Sequence, residues 1–166
     1  RELNKIDCVY PMKGKEVFVV ENSGIFSSLK DLLDEDRRSV ALLCTHGQFK
    51  LAGLVLINKL VQSGCTIYYS GDYDPEGIMM ATRLIKRYPD HVRAWRYSLE
   101  DYIKSQPSVD IADTRLVKLK NVLPVFSELA EKMRMIGKAG FQEKHIDILY
   151  SDLTSLSSSK SESNFD

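Results

Sequence analysis

Cysteine is scarce in this chain. Cys8, Cys44 and Cys65 are odd in number and widely spaced, which speaks against a disulfide framework, and with no C-x-x-C pair a structural zinc site is not expected either. Cys44 and Cys65 fall inside apolar runs and are expected to pack as small core residues, as suits a reducing cytoplasm. No apolar run is long enough to span a bilayer and no signal-peptide pattern opens the chain. An excess of either charge is also missing. Lys and Arg total 23, Asp and Glu total 23, and the formal net charge is +0. A free-standing non-specific DNA binder is normally basic, so this chain is not expected to hold nucleic acid by itself.

What remains is ordinary globular composition, 43% hydrophobic and 28% charged over 166 residues, enough for one domain with a proper core. The chain opens on Arg1, and the expectation is a C-terminal piece of a longer protein whose missing N-terminal region carries the substrate-binding surface. Apolar runs at 16–22, 39–47, 65–72 and 91–97 predict strands. Periodic segments at 24–38, 48–64, 74–89 and 98–106 predict helices, with Pro75 opening one, Pro89 beyond its end and Ser98 capping the last. Strands that are apolar throughout and alternate with helices predict a parallel sheet covered on both faces. The expected fold is therefore α/β, a three-layer Rossmann-like sheet of about four parallel strands over 1–106. A helical extension is expected over 107–153, with helices at 122–138 and 141–153 joined at Gly140, followed by a serine-rich disordered tail over 154–166.

Ligands of open parallel sheets collect at the carboxyl ends of the strands. Those ends read Glu21-Asn22-Ser23-Gly24, Thr45-His46-Gly47-Gln48 and Gly71-Asp72-Tyr73-Asp74-Pro75-Glu76-Gly77. Carboxylates crowded to 4 Å repel by roughly 4 kcal/mol per pair at an effective dielectric near 20. Solvent and a helix N-terminus can absorb that cost, and so can a cation. Asp74 is a good N-cap for the helix it precedes, a role that can coexist with chemistry. Asp72, two residues earlier, has no such local explanation. Glu76 favours the helix dipole and reads as structural or supporting. If Glu21 and Asp72 face each other across neighbouring strands, a hard cation with oxygen ligands is favoured. Mg²⁺ fits, Mn²⁺ also suits the donors, and retained waters would meet a phosphate. His46 could hydrogen-bond a phosphate or act as an acid or base. Gln48 begins a helix whose N-terminus could help hold an anion. His91 and His145 receive no role.

The stretches "VFVVENSGIF", "LLCTHGQFKLAGL" and "YYSGDYDPEGIMMATRL", with "RAWRYSLEDY", span roughly 16–102. A Glu ending the first strand and an Asp-x-Asp ending a later one resembles the Toprim domain of topoisomerases, primases and the topoisomerase VI A/Spo11-like proteins. The joint pattern is more specifically similar to a bacterial family of C-terminal domains that includes the nuclease subunit of Wadjet plasmid-defence systems. The resemblance implies Glu21 as an acid/base or metal-linked carboxylate, with Asp72 and Asp74 as Mg²⁺ ligands for DNA phosphodiester chemistry. Ser23, His46, Gln48 and Glu76 would be supporting or phosphate-binding residues. DNA would be held through the missing N-terminal region, in a homodimer or larger defence complex, in the cytoplasm and away from membranes. No tyrosine is obviously placed as a topoisomerase nucleophile, so water-dependent nuclease chemistry is the expected activity. Two alternatives stand beside it: a catalytically degenerate docking or dimerisation module, and a metal-dependent phosphohydrolase using Asp-x-Asp.

Overall fold

The computed structural model describes residues 15–45 and 51–158. Four strands, β1 (Glu16–Val20), β2 (Leu42–Cys44), β3 (Thr66–Ser70) and β4 (Val92–Ala94), form one sheet in the order β2-β1-β3-β4. Every pairing is parallel, so the α/β architecture and its parallel sheet are as the apolar runs implied. Between the strands lie α1 (Ser23–Glu35), α2 (Leu51–Gln62) and α3 (Pro75–Arg87), and α4 (Leu99–Lys104) follows β4.

Alternation along β1 assigns its two faces. Val17 and Val19 join a core with Ile57 and Leu60 of α2 and Ile78, Ala81 and Leu84 of α3. Phe18 and Val20 join a second core with Ile25, Leu29 and Leu33 of α1. Because successive strand side chains point to opposite faces, a four-residue apolar run fills both cores. The second core is completed by Leu149 and Leu153 of α7 (Ile146–Ser158). That helix is tied to the end of β4 through Asp152, which accepts from Trp95 Nε1 and Arg96 Nε at 2.7 Å each. Arg96 has φ 58, a left-handed turn unusual for a non-glycine residue. Its carbonyl accepts the Tyr73 hydroxyl at 2.7 Å.

The region after 107 departs from the expected pair of helices. A short α5 (Asp113–Leu116) runs into a 3₁₀ turn over Val117–Asn121, and a second 3₁₀ turn, Pro124–Phe126, precedes α6 (Ser127–Ile136). Helix α6 stops at Gly137, whose φ of 63 provides the left-handed C-cap,. The joint is therefore at Gly137 rather than Gly140. Lys138–Ala139 then forms β6, antiparallel to β5 (Val109–Asp110). Gly140 instead exchanges two 3.0 Å backbone hydrogen bonds with Tyr73. A side chain there would meet Ser105 Oγ at 1.9 Å and Ser105 Cβ at 2.9 Å, so glycine is required by close approach. A 3₁₀ turn over Gln142–His145 leads into α7, which continues to Ser158, within the stretch expected to be tail. Ser98 and Asp101 form a reciprocal capping box at α4, as the sequence suggested,.

Among the described residues no helix is long and apolar enough to cross a membrane.

Candidate functional site: a carboxylate rim braced by the C-terminal extension

The chain order reverses direction at β1: β2 lies on one side of it and β3 on the other. Such a switch point opens a crevice at the carboxyl ends of the two strands. The register pairs Val20 with Ser70, so the next residues along, Glu21 and Gly71, meet at that crevice. Glu21 and Asp72 thus do come from neighbouring strands.

Glu21 lies directly over Gly71. A Cβ on Gly71 would meet Glu21 Oε2 at 2.3 Å and the Tyr97 hydroxyl at 2.7 Å, so only glycine leaves room for both. The Tyr69 hydroxyl and the Asp72 backbone N–H lie beside the Glu21 carboxylate and favour its ionised form, without offsetting its burial. Tyr97 is buried within an aromatic cluster, its ring centroid 5.9 Å from Tyr73 and 5.5 Å from Phe126. Its hydroxyl has no hydrogen-bond partner among the described residues. Buried polar groups are rarely left this way, and this one lies beside the carboxylate rim.

The rim's electrostatics follow from burial with too little compensation. Burial, with the charges of Asp72 and Asp74 behind it, pushes Glu21 up to about 7. Burial raises Asp72 to about 6, helped by Glu143 and Asp74 and opposed by a hydrogen bond from the Gln142 backbone N–H. Asp74 is also raised, again chiefly by burial. Carboxylates that hold protons near neutral pH mark either strain or a function needing a cation or a proton. Among the described residues, no three His, Cys, Asp or Glu side chains gather closely enough to hold a metal ion by themselves.

Asp74 is the N-cap of α3, its Oδ1 accepting the Gly77 N–H at 2.7 Å. Its Oδ2 accepts Arg115 Nη2 at 2.8 Å. Glu76 turns to the same arginine, taking Nε at 3.0 Å, and to Lys118 Nζ at 2.7 Å. Hydrogen bonding from Arg115, reinforced by Lys118, holds Glu76 down at about 2. Glu76 is therefore an ion-paired anchor for the extension. Ser23 is exposed at the first turn of α1, while its neighbour Asn22 is the N-cap and also donates to Glu143 Oε1 at 3.1 Å. His46 and Gln48 lie outside the described residues. His91 faces the Cys65 carbonyl. His145 is buried against the Tyr73 ring, with centroids 5.4 Å apart, and burial lowers its pKa.

The extension supplies what the strand ends alone do not. Gln142 N–H donates to Asp72 Oδ1 at 3.1 Å, and the buried Gln142 side chain donates to Ser70 Oγ. Arg115 and Lys118 supply positive charge. Their sequence signal was the basic spacing of Arg115, Lys118 and Lys120 directly after Asp113; nothing local marked Gln142.

No curated protein matches this chain. One family model does, over residues 1–153, and so takes in the extension together with the sheet. With most of its length covered, the chain belongs to the family described as "Protein of unknown function C-terminus (DUF2399)".

Proposed function

We propose that the carboxylate rim is the Mg²⁺-dependent, Toprim-type nuclease centre of a larger DNA-processing or anti-plasmid protein. The observation that carries this reading is the placement of Glu21 over Gly71, beside Asp72, at the switch point of a parallel sheet. The buried Tyr97 hydroxyl, with no hydrogen-bond partner among the described residues, lies at the same spot.

The donor set suits the cation. Glu21 and Asp72 titrate near neutral pH because nothing positive offsets their burial, and a divalent ion would do so. Mg²⁺ commonly takes one or two carboxylates and keeps waters for a phosphate, so it does not require a closed three-ligand group, and none is gathered among the described residues. Asp72 and Asp74 would hold it, with Glu21 adjacent. When bound, Mg²⁺ supplies activation of a water and neutralisation of charge on the phosphate. Glu21, titrating near 7, is suited to take a proton from the attacking water and return it to the leaving oxygen. Gln142, donating to Asp72, orients that carboxylate, and the Tyr69 hydroxyl lies beside Glu21.

One observation favours the non-enzymatic docking module: Arg115 already occupies Asp74 Oδ2, so the rim is partly neutralised from within. Plasmid cleavage separates the two readings. The full-length protein is expected to nick supercoiled DNA in Mg²⁺, to stop on chelation, and to lose at least about 100-fold in rate with Asp72→Asn, comparable to losing a catalytic acid/base. Cleavage that survives both chelation and Asp72→Asn would reject the proposal, and no cleavage under any condition would favour the docking module.

A further inference from the structure

We infer that Arg115 and Lys118 form a phosphate-binding arm, which positions the DNA backbone beside the acidic rim. The inference rests on the nuclease reading and extends it to residues outside the Toprim-like motifs.

Arg115 lies within the short helix α5 and Lys118 lies in the 3₁₀ turn that continues it. A spacing of three in so tight a turn puts both side chains on one side. The turn is pinned by Leu119, which is only 2% exposed and belongs to the core that α3 helps build. The cations are thus delivered to a fixed place. Both stay accessible, with side chains 37% and 50% exposed.

Arg115 spends Nε and Nη2 on Glu76 and Asp74, while Nη1 makes no hydrogen bond among the described residues. A guanidinium has five N–H donors in a fixed fork, so this one is oriented by carboxylates with donors left over for an anion. Lys118, held at Glu76 by one 2.7 Å contact, keeps further N–H donors. A structural ion pair needs only one cation on Glu76, yet two converge there, next to the carboxylate proposed to hold a metal. A phosphodiester approaching that metal would meet both. Residues 113–121 carry a local positive excess, with Arg115, Lys118 and Lys120 against Asp113.

The test is binding of a fluorescently labelled 20-base-pair duplex by the full-length protein, followed by anisotropy across a salt series in Ca²⁺ in place of Mg²⁺. Each phosphate contact contributes about −0.9 to the slope of log affinity against log salt. Arg115→Gln and Lys118→Gln are each expected to flatten the slope by about 0.9, with the double variant flattening it by about twice that. Arg115→Lys is expected to keep the wild-type slope. Glu76→Gln, which removes the anchor but leaves both cations, is also expected to keep it. That result would not follow if Arg115 acted only by bracing Asp74 and Glu76.

Unchanged slopes in both glutamine variants overturn the inference. So does a Glu76→Gln slope as flat as that of Arg115→Gln, or a wild type that does not bind the duplex. Lys118→Gln carries the test if Arg115→Gln fails to fold. The nuclease reading is judged separately by Mg²⁺ binding to wild type and Asp72→Asn, so either can fail alone.

Discussion

Glu21→Gln makes the metal-free chain more stable at pH 8, by about 2 kcal/mol, while abolishing Mg²⁺-dependent cleavage. The sign follows from the direction of the shift. Glu21 titrates near 7 in the fold against an ordinary 4.5, and Asp72 near 6 against 3.8. Between roughly pH 4 and 7 the folded chain therefore binds more protons than the unfolded chain. Stability held below the lower values is lost as pH rises through the higher ones. A neutral glutamine removes the Glu21 share of that loss and keeps a polar side chain beside the Tyr69 hydroxyl and the Asp72 N–H. The shift corresponds to a few kcal/mol, reduced here by partial solvent contact. Urea unfolding from pH 4 to 8 measures it: wild type should weaken across this range, and Glu21→Gln should weaken less, with Asp72 accounting for the remainder. A variant less stable than wild type at pH 8 would mean that the ionised carboxylate is net favourable, contrary to the proposed strain. A gain in stability coupled to a loss of activity is the usual signature of a functional group kept at a cost to the fold.

Gly71→Ala separates the position of Glu21 from its chemistry. The Gly71 backbone is not in the left-handed region, so alanine adds no conformational strain. Its methyl would sit 2.3 Å from Glu21 Oε2 and 2.7 Å from the Tyr97 hydroxyl. The Tyr97 ring is held among Tyr69, Tyr73 and Phe126, whereas the Glu21 carboxyl is the free end of a flexible chain. Glu21 is the group that yields. Displaced toward solvent, it leaves the buried position beside Tyr69 and the Asp72 N–H. Its titration should fall from about 7 toward the usual carboxylate range, which carbon-detected NMR of the labelled side chain can follow. Cleavage is expected to drop by about 100-fold, as misplacing a catalytic group by an ångström can do, while stability changes by no more than about 2 kcal/mol. Retention of a titration near 7 with full activity would contradict the proposed role of the glycine.

Much of this arrangement was legible in the sequence because local rules carry it. Apolar runs such as Val17–Val20 read as doubly covered strands, and the helices between them fixed a parallel sheet. The carboxylates appear where those runs stop, so Glu21, Asp72 and Asp74 could be assigned to one edge before any coordinates. The N-cap role of Asp74 and the capping box of Ser98 and Asp101 were equally local. What was not legible comes from contacts distant along the chain. Gln142 reaches Asp72 across 70 positions, and Arg115 reaches Asp74 across 41; no periodicity records either. The α6 boundary was misplaced because two glycines compete. Gly140 looked like a hinge but is required by the close approach of Ser105 and Tyr73, whereas Gly137 adopts the left-handed conformation that ends the helix. Tyr69 and Tyr97 carried no assignment in the sequence, since nothing in composition shows which hydroxyl will lie beside a carboxylate.

The most direct measurement is thermal unfolding of wild type and Asp72→Asn with and without Mg²⁺. A ligand at about a hundred times its dissociation constant stabilises the state that binds it by about 2.7 kcal/mol. The expected result is a gain of that order for wild type and little or none for Asp72→Asn, which should be the more stable of the two without metal. Equal gains in both proteins, or no gain in wild type at saturating Mg²⁺, would contradict the claim that this rim is a metal-dependent catalytic centre.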